Sequence, residues 1–368
     1  MNVTFLSDKL QEKVSFLNHA VSTRGQLPIL ACFLIEAKGG RLTISATDLE
    51  IGISSSIVAS VEKEGVVAIP AKNFIDLLSN LGSQKITLFQ EGDALTLKGE
   101  KVKASFQTMQ PEDFPKLYEE KGEEFIVLKK EEIEKFFQRV VFAASTAETT
   151  RPALSGVLID EEKKEALLVA TDSYRLSLQK NVFKTTHALE RALVVPSRVI
   201  REIFSIKDGG TIKINISEKN NQLLFFQGDT VLVGRLIEAE YPEYQKIIPG
   251  EFNTKTEVNR EDLLKAIKIA SVFARETANI IKFSIEKTKI IVSANSPSVG
   301  EDSMDVEAKT TGESNEIAFN AKYLMDVLSI LDVETVVFEM NGPLNPGVFK
   351  LKEDNSFLHL IMPIRLQG

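Results

Sequence analysis

The chain has 368 residues, of which 43% are hydrophobic and 26% charged, as in an ordinary globular protein of two or three domains. Its formal net charge of −8 argues against a protein that holds nucleic acid by bulk positive charge. No apolar run reaches the roughly 18 residues of a transmembrane helix, and residues 1–20 lack the order of a signal peptide. We therefore expect a cytoplasmic protein with no membrane contact.

One short pattern recurs along the chain at a fixed spacing. Residues 42–48 alternate apolar and polar side chains and end in Thr47-Asp48, which predicts a strand that runs into a corner. Thr171-Asp172 ends a second copy 124 positions later, and residues 291–295 form a weaker third copy after another 124. Equal spacing indicates that one domain design is used three times. We predict domains at 1–120, 121–249 and 250–368.

Each predicted repeat begins with an amphipathic helix and contains a second helix near its middle. Between them lie short alternating stretches, among them 29–35, 85–89 and 94–98, which are typical of strands. The order predicts an α+β fold of three tandem repeats, each with two helices and largely antiparallel sheets. The helices are expected at 7–20, 71–81, 130–145, 196–206, 259–274 and 320–331, with Ser7 as the N-cap of the first.

The sequence shows no recognisable catalytic, metal or cofactor site. Its histidines, His19, His187 and His359, are scattered, and there is no glycine-rich phosphate loop. The single cysteine, Cys32, lies in an apolar run that is typical of a core position.

The most tempting catalytic reading takes Asp48 and Asp172 as metal ligands of an enzyme that acts on nucleic acid. A turn aspartate that accepts hydrogen bonds from its own backbone explains them better, because they occupy equivalent places in different repeats and the third repeat carries Asn295-Ser296 there. An interaction scaffold remains a further alternative.

The predicted helices differ in charge from the rest of the chain. They hold 12 basic and 10 acidic residues, whereas the whole chain is at −8. Several acids lie in first turns, where the helix dipole favours them. The pattern fits either ordinary solvated faces or a mildly basic surface that meets a polyanion.

Three features together resemble the bacterial sliding-clamp family, the β subunits of the replicative DNA polymerase. They are the threefold repeat, the A-T-D-x-x-R-L stretch at 170–176 and the Met-Pro-Ile-Arg-Leu stretch at 362–366. The resemblance covers the whole chain. It implies two protomers joined head to tail in a closed, pseudo-sixfold ring, with helices lining a hole that encircles duplex DNA independently of sequence. The homodimer would tether the polymerase catalytic subunit, the clamp loader and other proteins with clamp-binding motifs, without catalysis or cofactor.

The resemblance also implies roles for individual residues. DNA would meet Arg24, Lys72 and Arg198, although Glu148, Pro152 and Ala153 depart from the polar and aromatic residues expected there. The dimer seam would use Phe106, Val272, Phe273, Glu301 and Asp302, with Lys101 and Lys103 facing these acids or Asp305. A partner-peptide pocket between the second and third repeats would be lined by Arg151, Leu154, Thr171, Tyr174, Arg175, Leu176, Pro242, Lys246, Ile247, Leu344, Leu360, Met362, Pro363, Ile364 and Arg365.

Overall fold

The computed structural model describes residues 1–23, 27–146, 150–185, 189, 191–206 and 210–365. A helix lies in each of the six predicted places; the one expected at 259–274 ends at Ala274 as predicted, and the other five end earlier than their apolar periodicity indicated. None of the described helices is long and apolar enough to cross a membrane. The helices are α1 (Ser7–Leu17), α2 (Ala71–Ser79), α3 (Lys130–Val141), α4 (Ser197–Ser205), α5 (Arg260–Ala274) and α6 (Ala321–Ile330).

The strands pair in antiparallel fashion throughout the described residues. The first repeat contains β1 (Asn2–Leu6), β2 (Cys32–Lys38), β3 (Arg41–Thr47), β4 (Ile51–Val58), β5 (Ser60–Lys63), β6 (Gly65–Pro70), β7 (Lys85–Glu91), β8 (Ala94–Lys98) and β9 (Lys103–Gln107). The second contains β10 (Glu123–Lys129), β11 (Gly156–Glu162), β12 (Glu165–Thr171), β13 (Arg175–Gln179), β14 (Leu193–Pro196), β15 (Thr211–Ser217), β16 (Gln222–Gln227) and β17 (Thr230–Arg235). The third contains β18 (Thr254–Asn259), β19 (Ile280–Ile285), β20 (Lys289–Ser296), β21 (Gly300–Gly312), β22 (Asn315–Asn320), β23 (Thr335–Met340), β24 (Gly347–Leu351) and β25 (Asp354–Ile361).

Three sheets connect these strands, and two of them join strands of neighbouring repeats. One sheet has the order β5-β1-β7-β8-β9. A second, β10-β15-β16-β17-β4-β3-β2-β6, joins first and second repeats through the β4–β17 pair. The third, β14-β11-β12-β13-β25-β24-β23-β18-β21-β20-β19-β22, joins second and third repeats through the β13–β25 pair.

Because sheets run across the repeats, the compact units of the chain do not follow the repeat boundaries. One unit comprises 1–132 with 198–236, and the other comprises 133–197 with 237–368. The second repeat therefore contributes strands to both units. The division into domains at 1–120, 121–249 and 250–368 stays a prediction.

Two local expectations in the first repeat are wrong. Ser7 is not an N-cap: Leu6 precedes α1, and the Ser7 hydroxyl instead donates to the Gly82 carbonyl at 2.6 Å and accepts from the Gln84 N–H at 2.9 Å. The strand expected from residue 29 begins only at Cys32, because Pro28 starts a 3₁₀ turn that extends to Ala31. Cys32 is buried as expected, and burial raises the pKa of its thiol.

Candidate partner pocket, seam and nucleic-acid interface

The Thr171-Asp172 corner is a turn held by its own side chains. One Asp172 carboxylate oxygen, Oδ1, accepts from the backbone N–H groups of Tyr174 at 2.9 Å and Arg175 at 3.0 Å. The Thr171 hydroxyl donates to the Arg175 carbonyl at 2.7 Å and accepts from the Ser173 N–H at 3.2 Å. Ser173 has a φ of +77°, in the left-handed region. The turn links β12 to β13 and leaves Tyr174 63% exposed.

The first copy of the corner has the same geometry. Asp48 Oδ1 accepts from the N–H groups of Glu50 at 3.1 Å and Ile51 at 2.9 Å. The Thr47 hydroxyl donates to the Ile51 carbonyl at 2.9 Å, and Leu49 has a φ of +77°. Both aspartates are therefore turn residues, as the sequence predicted. No group of three His, Cys, Asp or Glu that could hold a metal occurs in the part of the chain that the structure describes.

Arg175 is an internal anchor rather than an open cation. It is 7% exposed, and its Nε donates to Asp172 Oδ2 at 3.0 Å. Its Nη1 donates to Asp326 Oδ2 on α6 at 2.6 Å, and its Nη2 donates to the Phe142 carbonyl just after α3 at 3.0 Å. The guanidinium also lies 4.5 Å from the centroid of the Tyr323 ring. One side chain thus ties the corner to two helices.

A buried apolar floor lies beside this corner. Leu176 on β13 and Leu360 on β25 face each other in register, and both are 0% exposed. They belong to one cluster with Tyr244, against which Tyr241 also packs. The Tyr241 hydroxyl donates to the Val169 carbonyl at 3.2 Å, and burial raises its pKa, so it stays a neutral donor. Leu154 and Thr171, also predicted for the pocket, are buried.

Exposed apolar side chains stand around this floor. The Met362 N–H donates to the Tyr174 carbonyl at 2.8 Å, which continues the β13–β25 ladder beyond its last pair. The turn at 341–346 precedes Gly347, which pairs with Ile361, so Leu344 lies at the same strand ends. We call this set the rim; its members are Tyr174 (63% exposed), Ile247 (46%), Leu344 (62%) and Met362 (39%).

The remaining predicted pocket residues lie on segments next to the rim. Pro242 and Lys246 are exposed, and Lys246 pairs with Glu243. Ile364 is half-buried and its N–H donates to the Ala318 carbonyl at 2.8 Å. Pro363 is half-buried, whereas Arg151 and Arg365 are exposed.

A buried histidine lies under the second corner. His359 is 0% exposed; its Nδ1 lies 2.6 Å from the Ser177 hydroxyl, and its ring lies 5.1 Å from that of Phe142. Burial, with the Arg175 charge adding to it, lowers the pKa of His359 well below its usual value. The imidazole is therefore neutral in the folded protein.

The predicted seam residues lie on or near open strand edges. Phe106 is half-buried on β9, the last strand of its sheet, with its ring 5.7 Å from that of Phe74. Val272 on α5 is 52% exposed, and Phe273 packs against the core of the third repeat.

On β21, residues 300–307 pair only with β20, and β18 takes over from residue 308. Glu301 is exposed, and Asp302 Oδ2 is buried without a hydrogen-bond partner among the described residues. Asp305, the third acid considered for the seam, instead pairs with Lys289 at 2.8 Å within the chain.

The residues predicted to contact DNA differ in their exposure and in the hydrogen bonds that they already make. Arg24 and Glu148 lie outside the described residues. Lys72 is exposed in the first turn of α2. Arg198 on α4 is engaged: its Nη1 lies 2.5 Å from Asp48 Oδ2, and its Nη2 donates to the His19 carbonyl. Sequence reasoning gave no sign of this contact, nor of Asp326 and Phe142 beside Arg175, because the partners are far apart in the chain.

Three family models match successive parts of the chain. They describe the DNA polymerase III beta subunit N-terminal domain at residues 1–118, its central domain at 127–243 and its C-terminal domain at 245–365. The beta sliding clamp of Staphylococcus epidermidis is 30% identical and covers 99% of both chains. That of Synechococcus elongatus is 30% identical over 100% of both chains.

Solved structures show the same likeness. The DNA polymerase sliding clamp from Bacillus subtilis superposes with a TM-score of 0.94 at 28% identity and covers 100% of both chains. A DNA polymerase III subunit beta from Bartonella birtlesii, solved bound to griselimycin, superposes with a TM-score of 0.93 at 25% identity, again over 100% of both chains.

Proposed function

This chain belongs to the family of DNA polymerase III beta subunits, the bacterial sliding clamps, and from that premise we propose that two copies close into a ring around duplex DNA. The chain is a sliding clamp of DNA polymerase III, a processivity factor of DNA replication that has no catalysis of its own. In our proposal the domains at 1–120, 121–249 and 250–368 of each copy give six similar segments, with their helices toward the hole. The ring would work in the cytoplasm on the chromosome.

Two open strand edges support the head-to-tail closure. Lys101 precedes β9 and Lys103 begins it, whereas the free edge of β21 carries Glu301 and Asp302. An open edge offers unpaired backbone groups to another strand. Pairing β9 of one copy with β21 of the other would complete both ladders and offer the unpartnered Asp302 oxygen a cation. Exposed charges contribute little individually, so we expect Phe106, Val272 and Phe273 to dominate.

The helices support a weak and sequence-independent contact with DNA. Their described ranges hold 12 basic and 10 acidic residues, in a chain whose net charge is −8. A closed ring is retained by topology and needs no strong electrostatic attraction to phosphates. We propose Arg24, Lys72 and Arg198 as contacts with DNA. Of the two that the structure describes, Lys72 is exposed, whereas Arg198 is bound to Asp48 and to the His19 carbonyl.

The observation that carries the tethering function is the rim around a buried floor. Exposed apolar patches of this kind mark binding surfaces. Tyr174, Leu344 and Met362 lie at the strand ends beside Leu176 and Leu360, and Ile247 ends the 3₁₀ turn that begins with Tyr244 of the floor cluster. We propose that an extended peptide of the polymerase, the clamp loader or another DNA enzyme inserts two or three apolar side chains here. Anchors worth about 1.5–3 kcal/mol each, less ordering costs, give roughly micromolar affinity for a lone peptide.

A metal-dependent enzyme fits the corners less well. Oδ1 of Asp48 and Oδ1 of Asp172 each accept two backbone N–H groups, and Oδ2 of each carboxylate binds a guanidinium. Their lone pairs are thus largely used by the fold. A plain scaffold that never encircles DNA remains as an outcome of the test.

The test is to load the protein on closed circular DNA with its clamp loader and then to linearise the circle. A ring stays on the circle and slides off free ends, so retention should fall after cutting; equal retention on both forms would contradict the ring. As the control, Phe273→Glu should shift the mass in solution toward a monomer and should not be retained on either form. Metal-dependent turnover of the DNA would instead favour the enzyme.

A second experiment addresses the pocket separately. Deleting residues 362–368 removes Met362 from the rim, and we expect binding of a polymerase-derived peptide to be lost while the dimer persists. Peptide affinity that survives the deletion would show that the pocket lies elsewhere.

A further inference from the structure

The second corner is fixed from outside by one carboxylate on α6. Asp326 Oδ2 accepts from Arg175 Nη1 at 2.6 Å, although the two residues are 151 positions apart. The Arg175 side chain is 8% exposed and that of Asp326 is 30% exposed. Ion pairs with one buried partner are sensitive to loss of the other partner, because the remaining charge is left poorly compensated.

Arg175 connects Asp326 to two rim residues through the hydrogen bonds of the turn. Its Nε and its backbone N–H bind the two oxygens of Asp172, whose Oδ1 also holds the Tyr174 N–H. The Tyr174 carbonyl in turn accepts from the Met362 N–H at 2.8 Å. Two of the four rim residues are therefore placed by the turn that Arg175 anchors.

The first corner is also anchored by a guanidinium, which there comes from a helix. There Arg198 of α4 contacts Asp48 Oδ2 and the His19 carbonyl after α1, as Arg175 contacts Asp172 Oδ2 and the Phe142 carbonyl after α3. In the first corner the helix supplies the cation. In the second corner the cation lies in the turn, and the helix supplies Asp326.

We infer that Asp326 is a positioning residue for the partner-peptide pocket: through Arg175 it sets the place of Tyr174 and Met362 without touching the peptide. This inference rests on the pocket proposed above. It concerns a residue on α6 that belongs to neither the floor nor the rim.

The experiment measures the affinity of a fluorescein-labelled peptide from the replicative polymerase for the full-length dimer, well below the unfolding temperature. Asp326→Asn keeps the size of the side chain and removes its charge. We expect affinity to fall about tenfold, because the pair with Arg175 is lost and the turn is no longer fixed. In an Arg175→Lys background the same change should cost less than about twofold, since an ammonium cannot bridge all three partners at once.

Two matched variants separate positioning from general destabilisation. Asp48→Asn removes the corresponding charge at the first corner and should lower the unfolding temperature while leaving peptide affinity unchanged. Asp326→Glu keeps the charge and should hold affinity within about threefold, which keeps the inference testable if Asp326→Asn folds poorly. Equal losses for Asp48→Asn and Asp326→Asn, or additive losses in the Arg175→Lys background, would overturn the inference.

Backbone exchange and two rim variants complete the design. In Asp326→Asn the Met362 amide should exchange with solvent faster, whereas the Ile364 amide, bound to the Ala318 carbonyl, should not. Unchanged Met362 exchange would contradict the path. Tyr174→Ala and Met362→Ala test the pocket itself: if neither weakens the peptide, the proposed function fails, and if they do but Asp326→Asn does not, only this inference fails.

Discussion

The two corners share a turn but differ in the residue that follows it. In the first corner Gly52 is the second residue of the return strand β4, and a methyl group placed there would lie 2.8 Å from Leu117 Cδ2. Leu117 therefore occupies the space beside the strand. In the second corner Leu176 stands in the equivalent place and is fully buried, while Ile247, which follows a lysine as Leu117 does, is 46% exposed.

We propose that this difference explains why the repeated turn gives a peptide pocket at the second corner and none at the first. Because Gly52 has no side chain, Leu117 packs against the strand at this position and fills the site. At the second corner Leu176 is part of the floor, and Ile247 is exposed as part of the rim. In this proposal the residue at position 52 or 176 determines whether the site is filled by the chain itself or stays open to a peptide.

Leu176→Gly should have the largest effect, because it gives the second corner the residue of the first. Removing a fully buried leucine costs about 3–5 kcal/mol of unfolding free energy, and loss of the floor should reduce peptide affinity at least about a hundredfold. Urea unfolding and peptide titration measure the two effects. Ile290→Ala, a change at a fully buried position of β20 that belongs to a different core cluster, is the control: it should lose stability and keep affinity. Retained affinity in Leu176→Gly would contradict the account of the floor.

Gly52→Leu is the reverse exchange at the first corner. The new side chain must displace Leu117, and overpacking of this kind costs about 1–3 kcal/mol. Adding Leu117→Ala should restore most of the stability in urea unfolding, because it empties the contested space. If the double variant is as unstable as the sum of the two single ones, Leu117 is not the residue that fills the site.

The histidine beneath the second corner should make that unit sensitive to acid. The pKa of His359 is lowered in the fold, so below pH 6.5, its ordinary value, the unfolded chain binds a proton that the folded chain does not. Stability should therefore fall as pH drops from about 6.5 toward the lowered pKa, by up to about 1.4 kcal/mol per pH unit. The contribution of His359 is the difference between the unmodified chain and His359→Gln in the slope of unfolding free energy against pH. Identical slopes would show that His359 takes up the proton within the fold.

The smallest effects concern the two described cations predicted to face DNA. Lys72 is exposed, whereas Arg198 is held by Asp48 and the His19 carbonyl. For DNA dissociation of an opened ring, Lys72→Ala should reduce the slope against log salt by about 0.9 per copy, the value of one phosphate contact. Arg198→Ala should change the slope less. The opposite ranking would show that Arg198 leaves its partners to meet DNA.

The sequence predicts local features well and remote ones poorly. The spacing of 124 locates the repeated strands, and the identity of Asp48 and Asp172 predicts turns that bind their own backbone. The end of α1 and the Ser7 cap are missed, because apolar periodicity continues into the 3₁₀ turn at Asn18–Ala20 and the buried Ser7 hydroxyl finds tertiary partners. The anchoring of Arg175 by Asp326 has no sequence signal, because it depends on how β13 and α6 pack.

Methyl NMR with a polymerase-derived peptide tests the central contrast most directly. With leucine and methionine methyl groups labelled, the peptide should shift the signals of Leu176, Leu360 and Met362 and leave those of Leu49 and Leu117 in place. Shifts of Leu49 and Leu117 of similar size and at similar peptide concentration would contradict the account, because the first corner would then be a second open pocket.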